Sequence, residues 1–288
     1  MIGVIGLGNM GLSMAINLQQ KGESVLGYDI SSYSQEKAKQ ENIVLCDTLA
    51  ELIKQSRVLI LSLPKAEHVL ETCLSTQGII AHPKNGLLVV DTSTSTPEAS
   101  RQIAQIFCDK GMTFVDAPVS GGPAGAISGT MSMVVGSSEQ AYKEITPILD
   151  KMSAKHLRVG EVGAGNITKL GNNLLVAANL LLVAEMVSMA ARSGVDSQAF
   201  LRGVNQGSGR SAVSEINFEK WILSQAYDSG FSMGLMRKDV ALAQNLLHDN
   251  LVLSQQVTRL WRDSLTLKDE LDFNAIVQTV DEELFKKY

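Results

Sequence analysis

The chain opens with Ile2-Gly3-Val4-Ile5-Gly6-Leu7-Gly8-Asn9-Met10-Gly11, in which a short apolar run leads directly into the pattern G-x-G-x-x-G. An amphipathic segment over about residues 9–21 predicts a helix behind these glycines. In a dinucleotide-binding turn the first glycine permits the tight bend. The second lets a pyrophosphate approach the backbone, and the third lets helix and strand pack closely. The stretch therefore predicts dinucleotide binding, the alternative being a tight turn without a ligand.

A second strand is predicted over residues 24–28 and ends at Asp29. An acid in this position accepts hydrogen bonds from the adenosine ribose, while free amide groups at the helix N-terminus meet the phosphate charge. Asp29 also places a carboxylate where a 2′-phosphate would lie, and Ser31 and Ser32 cannot balance that charge, so we expect NAD as the cofactor rather than NADP. The cofactor-binding residues predicted here are Gly6, Leu7, Gly8, Asn9, Met10, Gly11 and Asp29.

Strand and helix character alternates through the rest of the first half of the chain. The unbroken apolar run over residues 58–63 is typical of a strand that is covered on both faces. This alternation predicts an α/β Rossmann-type doubly wound sheet, whose ligands lie at the carboxyl ends of the strands. Leu63, Pro64 and residues 92–96 would therefore lie at the same edge of the sheet as the glycine-rich turn.

The second half of the chain is predicted to be helical, because no strand pattern of any length follows Gly163. We place a dinucleotide-binding domain at residues 1–161 and an all-helical domain for substrate binding and oligomerisation at residues 162–288. The most apolar run, residues 174–191, contains Asn179 and Glu185 and is interpreted as a core helix rather than a membrane span. It is apolar around most of its circumference, so we expect a homodimer or homotetramer. The predicted helices are 163–192, 197–205, 214–223, 234–249, 251–265 and 273–285.

The charge and cysteine content exclude several classes of protein. The formal net charge is −5 and there is no basic block, which argues against nucleic acid as a partner. Three widely spaced cysteines without a C-x-x-C pattern fit reduced thiols in a cytoplasmic protein and no structural metal. Met1 leads straight into the first strand without a basic segment, so we expect no signal peptide and no membrane partner.

The main candidate for a catalytic site is a lysine with two asparagines close to it in sequence. In Gly163-Ala164-Gly165-Asn166-Ile167-Thr168-Lys169-Leu170-Gly171-Asn172-Asn173, a helix would place Lys169, Asn172 and Asn173 on one face. The alternative is a lysine that reaches solvent beside two locally bonded asparagines. Hydride transfer to or from an alcohol requires one proton to move at the oxygen. A lysine can carry this proton when desolvation in a closed cleft brings its pKa toward neutrality.

A second candidate site is the run Ser120-Gly121-Gly122, which follows a predicted strand over residues 113–119. Three small residues expose backbone amides and a hydroxyl, an arrangement that suits an anion such as a carboxylate. The alternative is an ordinary glycine-rich turn. In sequence the run precedes the helix that carries Lys169, so Ser120 could face that lysine and bind the acid group of a small carboxylate substrate.

Four motifs in this order resemble the β-hydroxyacid dehydrogenase family, whose members include 3-hydroxyisobutyrate dehydrogenase and tartronate semialdehyde reductase. They are residues 6–11, Asp116-Ala117-Pro118-Val119-Ser120-Gly121-Gly122, residues 165–173 and residues 231–243 with Lys238-Asp239. The resemblance covers nearly the whole chain. It implies Lys169 as the catalytic group, Asn173 as a substrate-binding residue, Ser120-Gly121-Gly122 as the substrate anion site, and Thr94 and Lys238 beside the nicotinamide. Pro123 departs from the valine of many relatives and leaves the substrate open.

The function that the resemblance implies is hydride transfer between NAD(H) and a small β-hydroxy acid or its semialdehyde, with a lysine as general acid and base. Three alternatives remain at this point. One is a 6-phosphogluconate-type enzyme, which usually has a His where Asn172 and Asn173 stand. A second is an NADP-dependent semialdehyde or imine reductase, and imine reducers typically lack the lysine. The third is a non-catalytic dinucleotide-binding scaffold, which would be expected to lose the lysine that this chain keeps.

Overall fold

The computed structural model describes residues 1–248 and 250–286 of the chain. The chain divides into two units, Met1–Lys169 and Leu170–Tyr288. The first unit is an α/β structure and the second is helical, so the predicted fold class is confirmed. The strands of the first unit are β1 Ile2–Ile5, β2 Val25–Tyr28, β3 Val44–Leu45, β4 Val58–Leu61, β5 Leu88–Asp91, β6 Thr113–Asp116, β7 Val119–Ser120, β8 Met131–Gly136 and β9 Ser153–Gly160.

These strands form one sheet with the order β3-β2-β1-β4-β5-β6-β8-β7, and β9 pairs with β8. The pairing is parallel from β3 to β6, whereas β8 runs antiparallel to both β6 and β7. After β3 the chain crosses to β4 on the other side of β1. In an open α/β sheet such a reversal of strand order opens a crevice at the carboxyl ends of the strands, which is where a ligand binds.

Helices cover both faces of the sheet. Met14 and Leu18 of the first helix pack on one face with Ile145, whereas Leu52 and Phe107 belong to the apolar cluster on the other face. Burial on both faces explains why the central strands are continuously apolar. The helices are α1 Asn9–Gln20, α2 Ser32–Gln40, α3 Leu49–Gln55, α4 Ala66–Leu74, α5 Pro97–Cys108, α6 Gly122–Ser128 and α7 Glu139–Met152, with a 3₁₀ turn at Ile79–Ala81.

Two departures from the sequence prediction lie between residues 113 and 128. The strand predicted over 113–119 is interrupted after Asp116, and β7 is a separate short strand, because Pro118 has no N–H to donate to a ladder. The glycine-rich run after Ser120 is more than a turn, since it continues into α6. Pro123 lies in the first turn of α6, where its missing N–H would have no helical partner in any case.

The second unit contains the greater part of α8, Ala164–Arg192, followed by α9 Ser197–Asn205, a π-helix Val213–Leu223, α10 Met233–Gln244, α11 Val252–Asp263, a 3₁₀ segment Phe273–Thr279 and α12 Glu282–Phe285. The helix predicted over 273–285 was wrong as a single element, because it is a 3₁₀ segment and a short α-helix. The helix predicted over 234–249 ends at Gln244, and its last predicted residue lies outside the described residues. The helix predicted over 214–223 has the wider π spacing.

One face of α8 builds the core of the second unit. Ala177, Leu180 and Ala184 belong to a buried cluster with Trp261 and Phe218. Among the described residues α8 is the single helix long and apolar enough to cross a membrane, by length and composition only. Core helices pass the same test, and the packing of α8 in this cluster is the expected behaviour of a core helix.

A second face of α8 leaves apolar side chains exposed. Leu175, Leu182, Met186 and Met189 are all exposed, at 67%, 57%, 37% and 51%. Their spacings of seven, four and three residues place them along one side of the helix. We call these four residues the α8 stripe.

All three cysteines lie in the first unit as free thiols. Burial raises the pKa of the Cys73 thiol well above its ordinary value, and burial also raises the pKa of Cys46. Cys108, the last residue of α5, is exposed.

Candidate active site

The glycine-rich turn between β1 and α1 is tightly packed at Gly6 and Gly11 and open at Gly8. Gly6 has a φ of +85°, and a Cβ on Gly11 would lie 1.8 Å from the Gly6 carbonyl oxygen, so both positions require glycine. A Cβ on Gly8 would meet nothing within 4 Å. The space above Gly8 is therefore empty of protein, as expected where a pyrophosphate approaches the backbone.

The N-terminus of α1 has no side-chain cap. Helices α2, α3, α5 and α7 begin at a Ser or Thr whose hydroxyl accepts a backbone N–H, whereas α1 begins at Gly8 without such a bond. The first amides of α1 belong to Asn9, Met10 and Gly11. An uncapped helix N-terminus favours an anion through its free N–H groups and its dipole.

Asp29 is fixed by the backbone around it. Its Oδ2 accepts the Leu7 N–H at 2.6 Å, and its Oδ1 accepts the Ser31 N–H at 2.7 Å. The carboxylate is thus held against the glycine-rich turn. Each carboxylate oxygen keeps a second lone pair for a ribose hydroxyl.

The loops after β4 and β5 meet at the same edge. The Leu63 N–H donates to Ser93 Oγ at 2.9 Å, so the loop with Leu63 and Pro64 is joined to the loop that carries the half-buried Thr94. Thr96 caps α5 by accepting the Ala99 N–H, and Pro97 lies in the first turn, where its missing N–H would have no helical partner.

Lys169 and Ser120 are brought together although 49 residues separate them. Lys169 is 8% exposed, and its Nζ donates to Ser120 Oγ at 2.9 Å. Since the serine oxygen accepts this bond, its own O–H can still donate to a ligand. Gly121 and Gly122 follow directly with φ values of +128° and +62°. A buried ammonium beside a hydroxyl can donate a proton and a hydrogen bond to one small polar ligand.

The start of α8 is held by a buried carboxylate that sequence reasoning did not single out. Asp116 Oδ1 accepts the Gly163 N–H at 2.7 Å, and Oδ2 accepts the Asn166 N–H at 2.8 Å. A Cβ on Gly165 would lie 2.7 Å from the Asp116 carbonyl oxygen, so only glycine permits this approach. Burial raises the pKa of the Asp116 carboxyl to about 6, against the opposing effect of the backbone hydrogen bonds. An acid at a strand end, followed later by G-x-G-N, was the available signal.

In the second unit, Asn173 and Lys238 share a buried acid. Asn173 Nδ2 donates to Asp239 Oδ2 at 2.6 Å, and Lys238 Nζ lies 3.0 Å from Asp239 Oδ1. Asn173 Oδ1 in turn accepts from Asn172 Nδ2 at 3.1 Å, so the amide orientation is defined at both ends. Asp239, 1% exposed, was quoted in the sequence motif without a role.

No group of three or more His, Cys, Asp or Glu side chains in the described part of the chain could hold a metal ion. His156 takes part in hydrogen bonds within the first unit. The Tyr142 hydroxyl lies 2.7 Å from His156 Nδ1, and His156 Nε2 lies 2.9 Å from Asp150 Oδ1.

Comparison with known proteins agrees with this geometry. Residues 1–163 match the family model described as the NAD binding domain of 6-phosphogluconate dehydrogenase. Residues 163–280 match the model described as NAD-binding of NADP-dependent 3-hydroxyisobutyrate dehydrogenase. Together with the glycine-rich turn and Asp29, these matches define a nicotinamide-dependent oxidoreductase that acts on CH–OH groups, and NAD as its cofactor.

The chain belongs to the β-hydroxyacid dehydrogenase family. It is 34% identical over 242 residues to 2-(hydroxymethyl)glutarate dehydrogenase of Eubacterium barkeri, covering 84% of this chain and 80% of that protein. It is 32% identical over 248 residues to 3-hydroxyisobutyrate dehydrogenase of Pseudomonas aeruginosa, covering 84% and 83%. A solved structure of Mycobacterium tuberculosis 3-hydroxyisobutyrate dehydrogenase with L-serine superposes with a TM-score of 0.89 at 27% identity, over 97% of this chain and 98% of that one. The predicted family and enzyme class are thus confirmed.

Proposed function

We propose that the protein transfers a hydride between NAD(H) and a small β-hydroxy acid or the corresponding semialdehyde, with Lys169 as general acid and base. The observation that carries this proposal is the 2.9 Å hydrogen bond from the buried Lys169 Nζ to Ser120 Oγ. It joins a group that can move a proton to a group that can hold a substrate. The two relatives quoted above act on small hydroxy acids by name, which supports the same substrate class.

The residues around the glycine-rich turn fit the cofactor. The empty space above Gly8, the uncapped N-terminus of α1 and the fixed carboxylate of Asp29 match a pyrophosphate and a ribose. Leu63 and Pro64 are assigned to the same cofactor because they lie at the carboxyl end of β4. Thr94 and Lys238 are assigned to it by the family resemblance. When bound, NAD supplies the hydride acceptor and NADH the hydride donor.

Lys169 handles the proton at the substrate oxygen. During oxidation the neutral amine takes the hydroxyl proton, and during reduction the ammonium returns it and stabilises the negative charge that develops on the oxygen. Ser120 Oγ orients Nζ by accepting one of its hydrogen bonds. Lys169 is itself buried, and the low polarity around its ammonium strengthens its electrostatic interactions. Asn173, one turn further along α8, is assigned to the substrate, and Asp239 fixes its amide.

The acid group of the substrate is assigned to Ser120, Gly121 and Gly122. The Ser120 hydroxyl can donate to a carboxylate while its oxygen accepts from Lys169, and the backbone N–H groups of the two glycines follow directly. An anion between these donors and the Lys169 ammonium is favoured on charge as well. Recognition of the acid would therefore place the substrate hydroxyl close to the group that moves its proton.

NAD is preferred over NADP in this proposal. Asp29 is held by two backbone hydrogen bonds, so the carboxylate cannot turn away from a 2′-phosphate without breaking them. The neighbouring Ser31 and Ser32 carry no compensating charge. We further propose a cytoplasmic homodimer or homotetramer that buries the α8 stripe, with the functional domain boundary at residues 161/162.

The test is a comparison of kcat/KM for short 3-hydroxy acids with kcat/KM for the matching alcohols that lack the acid group, with NAD and NADH absorbance as the signal. Buried donors that a ligand leaves unpaired reduce its rate by up to about 10⁴-fold, so the acids should be strongly favoured. Ser120→Ala should reduce the preference. Ser128→Ala is the matched control, because within the described residues its hydroxyl bonds to its near neighbours in sequence, Ala124, Gly125 and Thr130. A preference below about tenfold in the wild type would contradict the assignment.

A further inference from the structure

A cluster of four buried polar side chains lies where α8 begins. Ser95, Ser100, Asp116 and Asn166 are all fully buried, and we call them the α8 anchor. Asn166 is its centre. Its Oδ1 accepts the Ser95 N–H at 2.9 Å, its Nδ2 donates to Ser100 Oγ at 3.0 Å, and its backbone N–H donates to Asp116 Oδ2. A buried polar group costs free energy unless it is hydrogen-bonded. A buried amide whose donor and acceptor are both hydrogen-bonded therefore holds its two partners in a defined orientation.

The anchor and the Lys169–Ser120 hydrogen bond connect the same two segments. Asp116 and Ser120 are four residues apart on the segment from β6 to β7, and Asn166 and Lys169 are three residues apart on α8. One connection runs from Asp116 to the Asn166 N–H, and the other runs from Ser120 to the Lys169 Nζ. Because residues three apart on a helix share a face, the anchor fixes the rotation of the helix that presents Lys169.

Asn166 adds a third segment to this arrangement. Ser95, whose N–H it accepts, follows Thr94, which is assigned to the nicotinamide end of the cofactor. Ser100 lies in α5, which begins directly after the same loop. The amide of Asn166 therefore joins the loop beside the nicotinamide to the helix of the proton-transfer group. A side chain that only accepts, or only fills space, could not make both bonds.

We propose that Asn166 is a positioning residue, which holds Lys169 in register with the Thr94–Ser95 loop so that proton and hydride transfer occur at one substrate carbon and its oxygen. This inference rests on the proposed function of Lys169. Asn166 is fully buried and both polar atoms of its side chain are bonded to protein, so it acts through the placement of α8. A shift of about 1 Å at a reacting group costs up to about 10²-fold in rate, and this is the size of effect that loss of the amide would produce.

The experiment compares Asn166→Ala with Asn17→Ala, a buried amide of the same unit whose Nδ2 donates to the Ile127 carbonyl oxygen. Asn166→Ala should lower kcat about 10- to 100-fold, with NADH affinity changed less than about threefold. It should also raise the solvent deuterium isotope effect on kcat, because proton transfer is the step that is impaired. The control should leave kcat and the isotope effect near wild-type values. Ser100→Ala, which removes one bond only, should act in the same direction with a smaller effect and serves if Asn166→Ala does not fold.

A double-mutant cycle with Lys169→Ala separates this inference from the proposed function. If Asn166 acts through Lys169, adding Asn166→Ala to the Lys169→Ala protein should lower kcat less than about twofold. The positioning role would be overturned if Asn166→Ala lowered kcat by the same factor in the Lys169→Ala protein as in the wild type. It would also be overturned if Asn166→Ala alone left the isotope effect unchanged. If Lys169→Ala alone retains activity, the proposed function itself fails, whatever Asn166 does.

Discussion

Adding one methyl group at Gly8 should weaken cofactor binding without harming the fold. A Cβ on Gly8 would contact no protein atom within 4 Å, and Gly8 has a φ of −67°, which any residue adopts. The methyl group would instead occupy the space that we assign to the pyrophosphate. At Gly11 the same change places a Cβ 1.8 Å from the Gly6 carbonyl oxygen, so it should disrupt the turn itself.

The two effects of Gly8→Ala differ in size. Alanine is a somewhat poorer N-cap than glycine but restricts the unfolded chain, so the free energy of unfolding should change by less than about 1 kcal/mol. In a protein of this size that corresponds to a melting-temperature change of at most about 4 °C. Loss of one charge-assisted hydrogen bond from the α1 amides to a phosphate costs about 1.5–3 kcal/mol, which raises the Kd for NADH at least about tenfold.

Titration of NADH by nicotinamide fluorescence, with a thermal melt of each variant, measures both quantities. Gly203→Ala in α9 is the control, because its Cβ also meets nothing within 4 Å and it lies in the second unit. It should stabilise the protein by up to about 1 kcal/mol and leave the Kd unchanged. The reasoning is refuted if Gly8→Ala binds NADH as tightly as the wild type, or if it loses as much stability as Gly11→Ala.

Three further outcomes are expected. Lys169→Ala should lower kcat by about 10²- to 10⁴-fold while NADH binding persists, and a variant that keeps more than about a tenth of kcat would contradict its role. The pKa of Asp116 is raised from an ordinary 3.8 to about 6 in the folded state. Between these two pH values the folded state keeps a proton that the unfolded state has lost. The contribution of this group to the free energy of unfolding should therefore fall by about 3 kcal/mol as the pH rises through that window. The difference in urea unfolding between wild type and Asp116→Asn should show this slope, and a flat difference would count against it. Leu182→Asp in the α8 stripe should reduce the mass by light scattering toward 31.0 kDa, and a wild-type mass already at that value would exclude the oligomer.

Local patterns in the sequence predicted the glycine-rich turn and the alternation of strands and helices. Gly6, Gly8 and Gly11 lie close in sequence to one another and to Asp29 at the end of the next strand, so their spacing predicts the turn. Hydroxyl caps such as Thr96 are local too, because the hydroxyl and the N–H that it accepts lie in the same turn. The antiparallel pairing of β8 with β6 and β7 involves a reversal that strand periodicity does not contain.

The α8 anchor could not be predicted, because its bonds join residues far apart in the chain. Asp116 and Gly163 are 47 residues apart, and Ser95 and Asn166 are 71 apart. An Asp or Asn in a sequence gives no indication of whether it is buried or which amide it will meet. The roles assigned to Lys169, Asn173 and the other site residues, and the boundary at residues 161/162, stay predictions until the experiments above are done.

The three cysteines differ in exposure, and this difference allows one of them to be labelled selectively for spectroscopy. Thiolates are the reactive form, and burial holds Cys46 and Cys73 largely as protonated thiols at neutral pH. A maleimide dye should therefore attach first to Cys108 in the natural sequence, without any engineered cysteine. Cys108 ends the 12-residue α5, about 18 Å along the helix from the loop that precedes its first turn. A dye there would report on α5 and its loop during turnover.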